Sequence, residues 1–236
     1  MKWNGKMKAL TFSFDDAVTQ DIRFIELLNK YGMKCTFNLN SGCLGQKGRT
    51  LNIGGQIISH DKVDAKDVRA IYEGHEIAAH TIDHPLLPGI ESDDEIVRQV
   101  EEDRLRLSSL AGYEVVGFAY PCGGANFNDR VARLIKERTG VKYARNIISS
   151  FSFDEQSDLY KFKPTVHQHA NPNEMFALGE KFIEMKPDKP QIYYIFGHAY
   201  EFDCRDGWER IERFLQLMSG HDDIFYGTNK DVLLCK

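Results

Sequence analysis

The stretch KALTFSFDD, from Lys8 to Asp16, is a run of strand-forming residues that ends in two adjacent carboxylates. It predicts a β-strand over residues 8–14 that ends at Asp15. A helix is predicted directly after it, because apolar residues share one helical face and Gly32 follows as a terminating residue. The apolar residues of that face are Phe24, Leu27, Leu28 and Tyr31. A second strand is predicted over Cys35–Leu39.

The same alternation of strand and helix continues along the chain. Further strands are predicted at residues 76–79, 115–119, 142–145, 191–196 and 224–226. Further helices are predicted at residues 65–73, 92–110, 128–139, 173–185 and 208–218, the second of them opened by a capping box. Residues 41–60 are rich in glycine and polar residues and are predicted to form a long loop or an excursion from the main fold. Residues 147–172 are the least regular part of the chain.

Strands that alternate with helices build a parallel sheet, so the fold class is α/β. About seven strands indicate a distorted or incomplete (β/α)7-8 barrel, with an open doubly wound sheet as the alternative. The ends of the strands favour the barrel, because barrel enzymes assemble their sites from residues at that face. The residues at or just after predicted strand ends are Asp15, His80, Pro121, Arg145 and His198. A single domain is expected over residues 1–236.

The composition of the chain argues against two classes of protein, those that bind nucleic acids and those that span a membrane. With 236 residues, 42% of them hydrophobic, the chain can build one large core. A net charge of −5 and a pI near 5.9 leave no basic footprint, so nucleic-acid binding is not expected. No apolar run approaches the length of a membrane span.

The cellular location is predicted from the N-terminus and the cysteines. No apolar segment of a signal peptide follows the first residues. The five cysteines are odd in number, scattered and without a CxxC pair, which is typical of reduced thiols. A cytoplasmic protein is therefore predicted, unless a leader has been removed.

Three polar residues at or near the predicted strand ends, Asp16, His80 and His84, are of the types that form a hydrolytic metal site. His80 and His84 are four residues apart, so both rings can face one cation from a helical turn or a loop of similar pitch. Together with Asp16 they provide three ligands and leave a coordination position open, as in catalytic zinc sites. The alternatives are that one aspartate caps the following helix and that the two histidines are unrelated.

Later histidines extend this pattern. His198 follows an apolar strand and is either a histidine of the core or a general acid, since imidazole titrates near neutrality. His167 and His169 are predicted to be loop residues near the mouth of the site, and a second metal is not favoured there. Tyr200 follows the same strand as His198 and is a candidate for contact with substrate.

At these residues the chain resembles the polysaccharide deacetylase family, which comprises NodB-like esterases of carbohydrate esterase family 4. The segments Ser13–Asp16, His80–His84 and Phe196–His198 match the first, second and last motifs of that family. The resemblance implies that Asp15 is the catalytic base and that His198 is the catalytic acid. It also implies that the metal is held by Asp16, His80 and His84.

The third motif departs from the family pattern. The family commonly has Arg-x-Pro-Tyr-Gly, whose arginine positions the catalytic aspartate, whereas residues 119–123 here read AYPCG. We predict that Arg145, which ends the next strand, takes over by reaching Asp15 from a neighbouring strand. Pro121 and Cys122 are predicted to contact substrate, with a backbone N–H near Cys122 stabilising the oxyanion. No counterpart of the acidic fourth motif is visible, and the acids closest to His198 are Glu201 and Asp203.

The predicted function is a metal-dependent hydrolase that removes acetyl groups from an acetylated sugar or oligosaccharide. Zinc is the default cation for this ligand set, and cobalt, nickel or iron would also suit it. One alternative is hydrolysis of another C–N bond, such as that of a cyclic imide or ureide. Another is a catalytically silent carbohydrate-binding barrel. The linkage of the substrate and the oligomeric state are not predicted.

Overall fold

A computed structural model describes residues 2–235, in which strands and helices alternate over most of the chain. The strands are β1 (Lys8–Asp15), β2 (Cys35–Leu39), β3 (Thr50–Ile53), β4 (Gln56–Ser59), β5 (Glu76–Ala79), β6 (Gly117–Ala119), β7 (Tyr143–Arg145), β8 (Val166–His167), β9 (Gln191–Gly197) and β10 (Ile224–Tyr226). The helices are α1 (Asp21–Lys30), α2 (Val68–Ile71), α3 (Asp93–Ala111), α4 (Asp129–Arg138), α5 (Pro172–Glu184), α6 (Gly207–Met218) and α7 (Asn229–Leu233).

The main sheet is a distorted and incomplete barrel, which confirms the predicted fold class. Seven strands pair in the order β7-β6-β5-β2-β1-β9-β8, and every pair along this path is parallel. Between the two outer strands, Phe162 forms a parallel bridge with Arg145 of β7 shortly before the chain enters β8. β10 lies off this path and pairs with the first half of β1, while β2 pairs with its second half. All the carboxyl ends of the strands therefore face one end of the barrel.

Side chains of β1 alternate between the helices and the barrel interior, and all eight residues are buried. Phe12 and Phe14 pack against aromatic rings of the helix layer, including Phe24 of α1. From Thr11 onward the alternating residues are polar, and Ser13 accepts a hydrogen bond from Asn38 of β2 inside the barrel. Because Asp15 is two residues after Ser13 in the strand, its carboxylate lies on the same face and also points inward.

One predicted loop contains a hairpin. Residues 41–60, predicted to be a loop, contain the antiparallel hairpin β3–β4. Its turn is Gly54-Gly55, with both φ angles positive (56° and 87°), which is the geometry of a tight hairpin turn. The two strands were not predicted, because the glycine content of the segment obscured them.

Short elements account for the other differences. β8 has two residues and α7 has five, too few for a periodic pattern, and neither was predicted. The helix predicted at residues 65–73 is a 3-10 turn (Ala65–Asp67) followed by α2. Within residues 2–235, no helix combines the length and the apolar character needed to cross a bilayer.

Candidate active site

A cavity of about 430 Å³ opens at the carboxyl ends of the parallel strands. Seven of the nine residues predicted for the site line it: Asp15, Asp16, His80, His84, Cys122, His198 and Tyr200. Arg145 lies beneath the cavity, fully buried. Pro121 is buried and does not line the cavity, so its predicted contact with substrate remains a prediction.

Asp15 is held as a carboxylate by two donors. Its Oδ1 accepts a hydrogen bond from Asn38 Nδ2 at 2.8 Å and another from Arg145. Burial opposes the charged form, but the guanidinium of Arg145 together with His80 and His198 outweighs it and lowers the pKa of Asp15. Oδ2 lies 3.9 Å from His198 Nε2. Asp15 is therefore ionised at neutral pH, with Oδ2 as the oxygen that faces the reacting groups.

Arg145 reaches Asp15 by a route that differs from the prediction. In the sheet order, β6, β5 and β2 lie between β7 and β1, so Arg145 crosses the barrel interior rather than reaching over from a neighbouring strand. Its side chain is 0% exposed and stacks near the ring of Phe196, 5.1 Å from the ring centroid. Among the described residues, Asp15 is the one carboxylate within ion-pair distance of it.

Asp16, His80 and His84 form the first candidate metal group, since one ligand atom from each lies within 4.8 Å of the others. His80 donates its Nδ1–H to the carbonyl of Ala119 at 2.8 Å, which leaves the Nε2 lone pair for a cation. Burial lowers the pKa of His80 to about 4, so the ring is neutral, as a ligand must be. These oxygen and nitrogen donors fit a divalent cation with an open coordination position.

Strained backbone brings these ligands together. Asp16, Thr81, His84 and Cys122 all have positive φ angles, of 86°, 71°, 60° and 69°. Such conformations cost about 1–3 kcal/mol each and persist where the surroundings impose them. The left-handed turn at Asp16 lets two consecutive carboxylates approach one cavity, and His80–His84 adopts a loop rather than a helical turn.

Asp16 has two basic neighbours that the sequence did not single out. His60 Nε2 lies 3.2 Å from Oδ2, and Lys62 Nζ donates to the Asp16 carbonyl at 2.7 Å. Both residues follow β4. Burial opposes the charged form of Asp16, but the contact with His60 and the charge of Lys62, together with His198 and His80, outweigh it. The pKa of Asp16 is therefore lowered well below its usual range.

Glu201 is the acidic partner of His198. It lies in the 3-10 turn Ala199–Asp203 after β9, and its Oε1 is 3.5 Å from His198 Nδ1. Its Oε2 accepts from the His198 backbone N–H at 3.1 Å and from Gln168 Nε2 at 2.7 Å. Burial disfavours the imidazolium, but the charge and polar contact of Glu201, together with the charges of Asp16 and Asp15, outweigh it and raise the pKa of His198 to about 9.

His167 lies beside this pair and is not arranged as a ligand of a second metal. It forms a ligand-like group with His198 and Glu201. However, its Nδ1 accepts two backbone N–H bonds, from His169 and Ala170, both at 3.1 Å. The proton of the neutral ring must then be on Nε2, which lies 3.8 Å from Glu201 Oε1. Since a protonated nitrogen cannot bind a metal, His167 in this tautomer is not a ligand, and its N–H lies on the side of Glu201 without hydrogen-bonding to it.

Cys122 and Tyr200 complete the cavity wall. The backbone N–H of Cys122 donates a hydrogen bond to Nε2 of His84, a candidate metal ligand, at 3.4 Å. The ring of Tyr200 stacks on His198, with centroids 4.8 Å apart and an interplanar angle of 26°. Cys122 thus offers a backbone donor beside the candidate ligands, and Tyr200 restricts the orientation of the histidine.

Sequence comparison with known proteins gives one family match. The profile of the family described as polysaccharide deacetylase matches residues 2–144 of the 236. No protein of curated function matches the chain by sequence.

Solved structures share the fold at low sequence identity. A Mycobacterium smegmatis protein assigned to the polysaccharide deacetylases is 14% identical, with a TM-score of 0.70, over 98% of this chain and 90% of that chain. A family 4 carbohydrate esterase from Streptomyces lividans, in complex with acetate, is 15% identical, with a TM-score of 0.56, over 94% and 93%. A family 4 pseudoenzyme from Bacillus anthracis is 17% identical, with a TM-score of 0.55, over 96% and 66%. The distorted barrel is thus of the NodB-like type.

Proposed function

This chain belongs to the polysaccharide deacetylase family, and from that premise we propose that it is a metal-dependent hydrolase that removes acetyl groups from an acetylated sugar or oligosaccharide. One observation carries the proposal. A carboxylate paired with a buried arginine, three candidate metal ligands and a charged histidine face the same cavity. A module that only binds sugar would not need this combination of base, acid and metal ligands.

Each residue of the site has a separate role in the proposed reaction. Asp16, His80 and His84 would hold the cation, zinc by default, which supplies an acidified water and polarises the acetyl carbonyl. Asp15 accepts the proton of the attacking water at Oδ2, because Oδ1 is occupied by Asn38 and Arg145. The N–H of Cys122 stabilises negative charge on the carbonyl oxygen.

His198 completes the reaction as the general acid. With Nδ1 directed at Glu201, its Nε2–H faces the cavity and donates to the departing nitrogen or oxygen of the sugar. An amide needs this proton more than an ester does, because an unprotonated amine anion is a very poor leaving group. A pKa of about 9 keeps His198 protonated at neutral pH.

We also propose that residues 1–236 act as one catalytic domain. β1 near the N-terminus and β9 near the C-terminus are adjacent in the sheet, and they contribute Asp15 and, directly after β9, His198. The site therefore needs both ends of the chain.

Acetate release tests the proposed function. Protein loaded with zinc or cobalt is incubated with acetylated sugars from N-acetylglucosamine oligomers to O-acetylated xylan, and free acetate is measured. We expect release from at least one substrate, and we expect a chelator to abolish it because the proposed mechanism depends on the cation. If metal binds and no substrate releases acetate, the proposal fails in favour of another C–N bond or of a silent barrel.

Replacement of Glu201 tests its control of the acid. In Glu201→Gln the imidazolium loses its anionic partner, so we expect the pKa of His198 to fall from about 9 toward its ordinary value of 6.5. A general acid works only when protonated, and therefore the alkaline limb of the kcat/KM profile should move down by at least about one pH unit, while activity near pH 6 is largely retained.

The matched control for this variant is Asp203→Asn. Asp203 lies in the same 3-10 turn but accepts hydrogen bonds from Gln20 and Trp208 instead of His198. Its pH profile should resemble that of the wild type. Coincident profiles for all three proteins would contradict the role assigned to Glu201.

A further inference from the structure

Lys62 is a buried cation beside a candidate metal ligand. Its side chain is 3% exposed, and its Nζ lies 2.7 Å from the carbonyl oxygen of Asp16 and 3.8 Å from Asp16 Oδ1. Among the described residues, Asp16 is the one carboxylate within ion-pair distance of Lys62. A buried ammonium needs such a partner, because loss of hydration disfavours an isolated charge.

The position of Lys62 is set by backbone pairing and not only by the conformation of its side chain. The segment after β4 pairs in antiparallel fashion with the turn after β1, through a bridge between Val18 and Lys62. Backbone hydrogen bonds flank that bridge, from Thr19 to Asp61 and from Val63 to Ala17, each 2.9 Å long. The hairpin excursion therefore delivers a positive charge to the turn that carries Asp16.

That charge opposes a metal on the same carboxylate. A cation bound to Asp16 Oδ1 at about 2 Å would be no more than about 6 Å from Nζ, by the triangle inequality. Of the other nearby carboxyl groups, Asp15 pairs with Arg145 and Glu201 with His198. Burial raises the pKa of Asp21 to about 8, so its carboxyl group is largely neutral at pH 7. The ammonium is thus not compensated by a second anion when a cation binds, and like charges repel strongly at this distance in a buried site.

We propose that Lys62 is a competing counter-ion for Asp16, which stabilises the metal-free protein and weakens its affinity for a divalent cation. The inference rests on the proposed function, because it takes Asp16 as a metal ligand. A cation held by Asp16 would share the charge of that carboxylate with the ammonium of Lys62. A lysine that only braces the Asp16 carbonyl would have the opposite effect on affinity, because its removal would disorder a ligand.

The test compares Lys62→Met with wild type by calorimetric titration of zinc and by thermal unfolding with zinc or with chelator. We expect Lys62→Met to bind zinc at least about tenfold more tightly, to unfold at a lower temperature in chelator and to gain more stability from zinc. Lys6→Met is the matched control, since Lys6 also donates to a backbone carbonyl, that of Ile224, at 2.9 Å, and has no carboxylate within ion-pair distance among the described residues. Unchanged or weaker zinc binding by Lys62→Met would overturn the inference.

Two further variants keep the result interpretable. Lys62→Gln removes the charge but retains an N–H donor for the Asp16 carbonyl, and it serves if Lys62→Met does not fold; it should also bind zinc more tightly. Asp16→Asn tests the premise. If wild type binds no zinc, or if Asp16→Asn binds it equally well, the metal site of the proposed function fails, whereas zinc binding that depends on Asp16 but not on Lys62 refutes this inference alone.

Discussion

Asp15→Asn is expected to lower kcat/KM for acetyl release by about 10³-fold, within the range for loss of a general base. The amide keeps the shape of the side chain and can still accept a hydrogen bond from Arg145, but it cannot take a proton from water. Zinc binding should persist, because Asp16, His80 and His84 are unchanged. The measurement is steady-state acetate release together with metal content.

Asp21→Asn is the matched control for this variant. Asp21 is also fully buried, at the start of α1, but it accepts from the hydroxyl of Tyr72 and does not line the cavity. Burial raises its pKa to about 8, so it is largely neutral at pH 7 and an amide should replace it with little effect on turnover. Turnover by Asp15→Asn within about tenfold of the control would remove Asp15 from the role of base.

Arg145→Ala should lose both activity and stability. Without the guanidinium, burial raises the pKa of Asp15, so less of the base is ionised at neutral pH and kcat/KM should fall by about 100-fold or more. The isolated buried carboxylate should also reduce the free energy of unfolding by about 3–5 kcal/mol. Urea denaturation and acetate release measure the two effects.

The double variant Asp15→Asn/Arg145→Met separates the effect on activity from the effect on stability. It removes both charges, so it should recover part of the lost stability while remaining inactive, since breaking a buried pair costs more than replacing it. Wild-type turnover by Arg145→Ala would show that another group orients Asp15. An inactive Arg145→Ala protein that unfolds like wild type would contradict the energetic part of the argument.

Much of the barrel could be predicted because strands and helices are local patterns. The predicted bounds of Cys35–Leu39, Glu76–Ala79 and Ile224–Tyr226 agree with β2, β5 and β10. Each is a short apolar run between turn residues, where periodicity and breakers point to the same element. β3–β4 was missed because the glycine content of its segment obscured the strands, and β8 and α7 were missed because they carry no periodic pattern of their own.

Some residues of the candidate site could likewise be predicted from the sequence, and others could not. The order and spacing of Asp15, Asp16, His80, His84 and His198 are properties of the chain, because parallel strands deliver their carboxyl ends to one face. Asn38 offered a weak signal, as a polar residue in an otherwise apolar strand whose register pairs it with Asp15. Nothing local distinguishes His60 or Lys62 from residues of a surface loop.

By itself, the sequence determined the α/β class, the face that carries the site and the chemical types of the principal groups, because these follow from patterns within single elements. Only the tertiary structure decided which charges pair. Arg145 meets Asp15 across the barrel, and Lys62 meets Asp16 through the pairing of two distant turns. The physical reason is that a buried charge is stabilised by its neighbours in space, and the curl of the sheet selects those neighbours from residues that lie far apart in the chain.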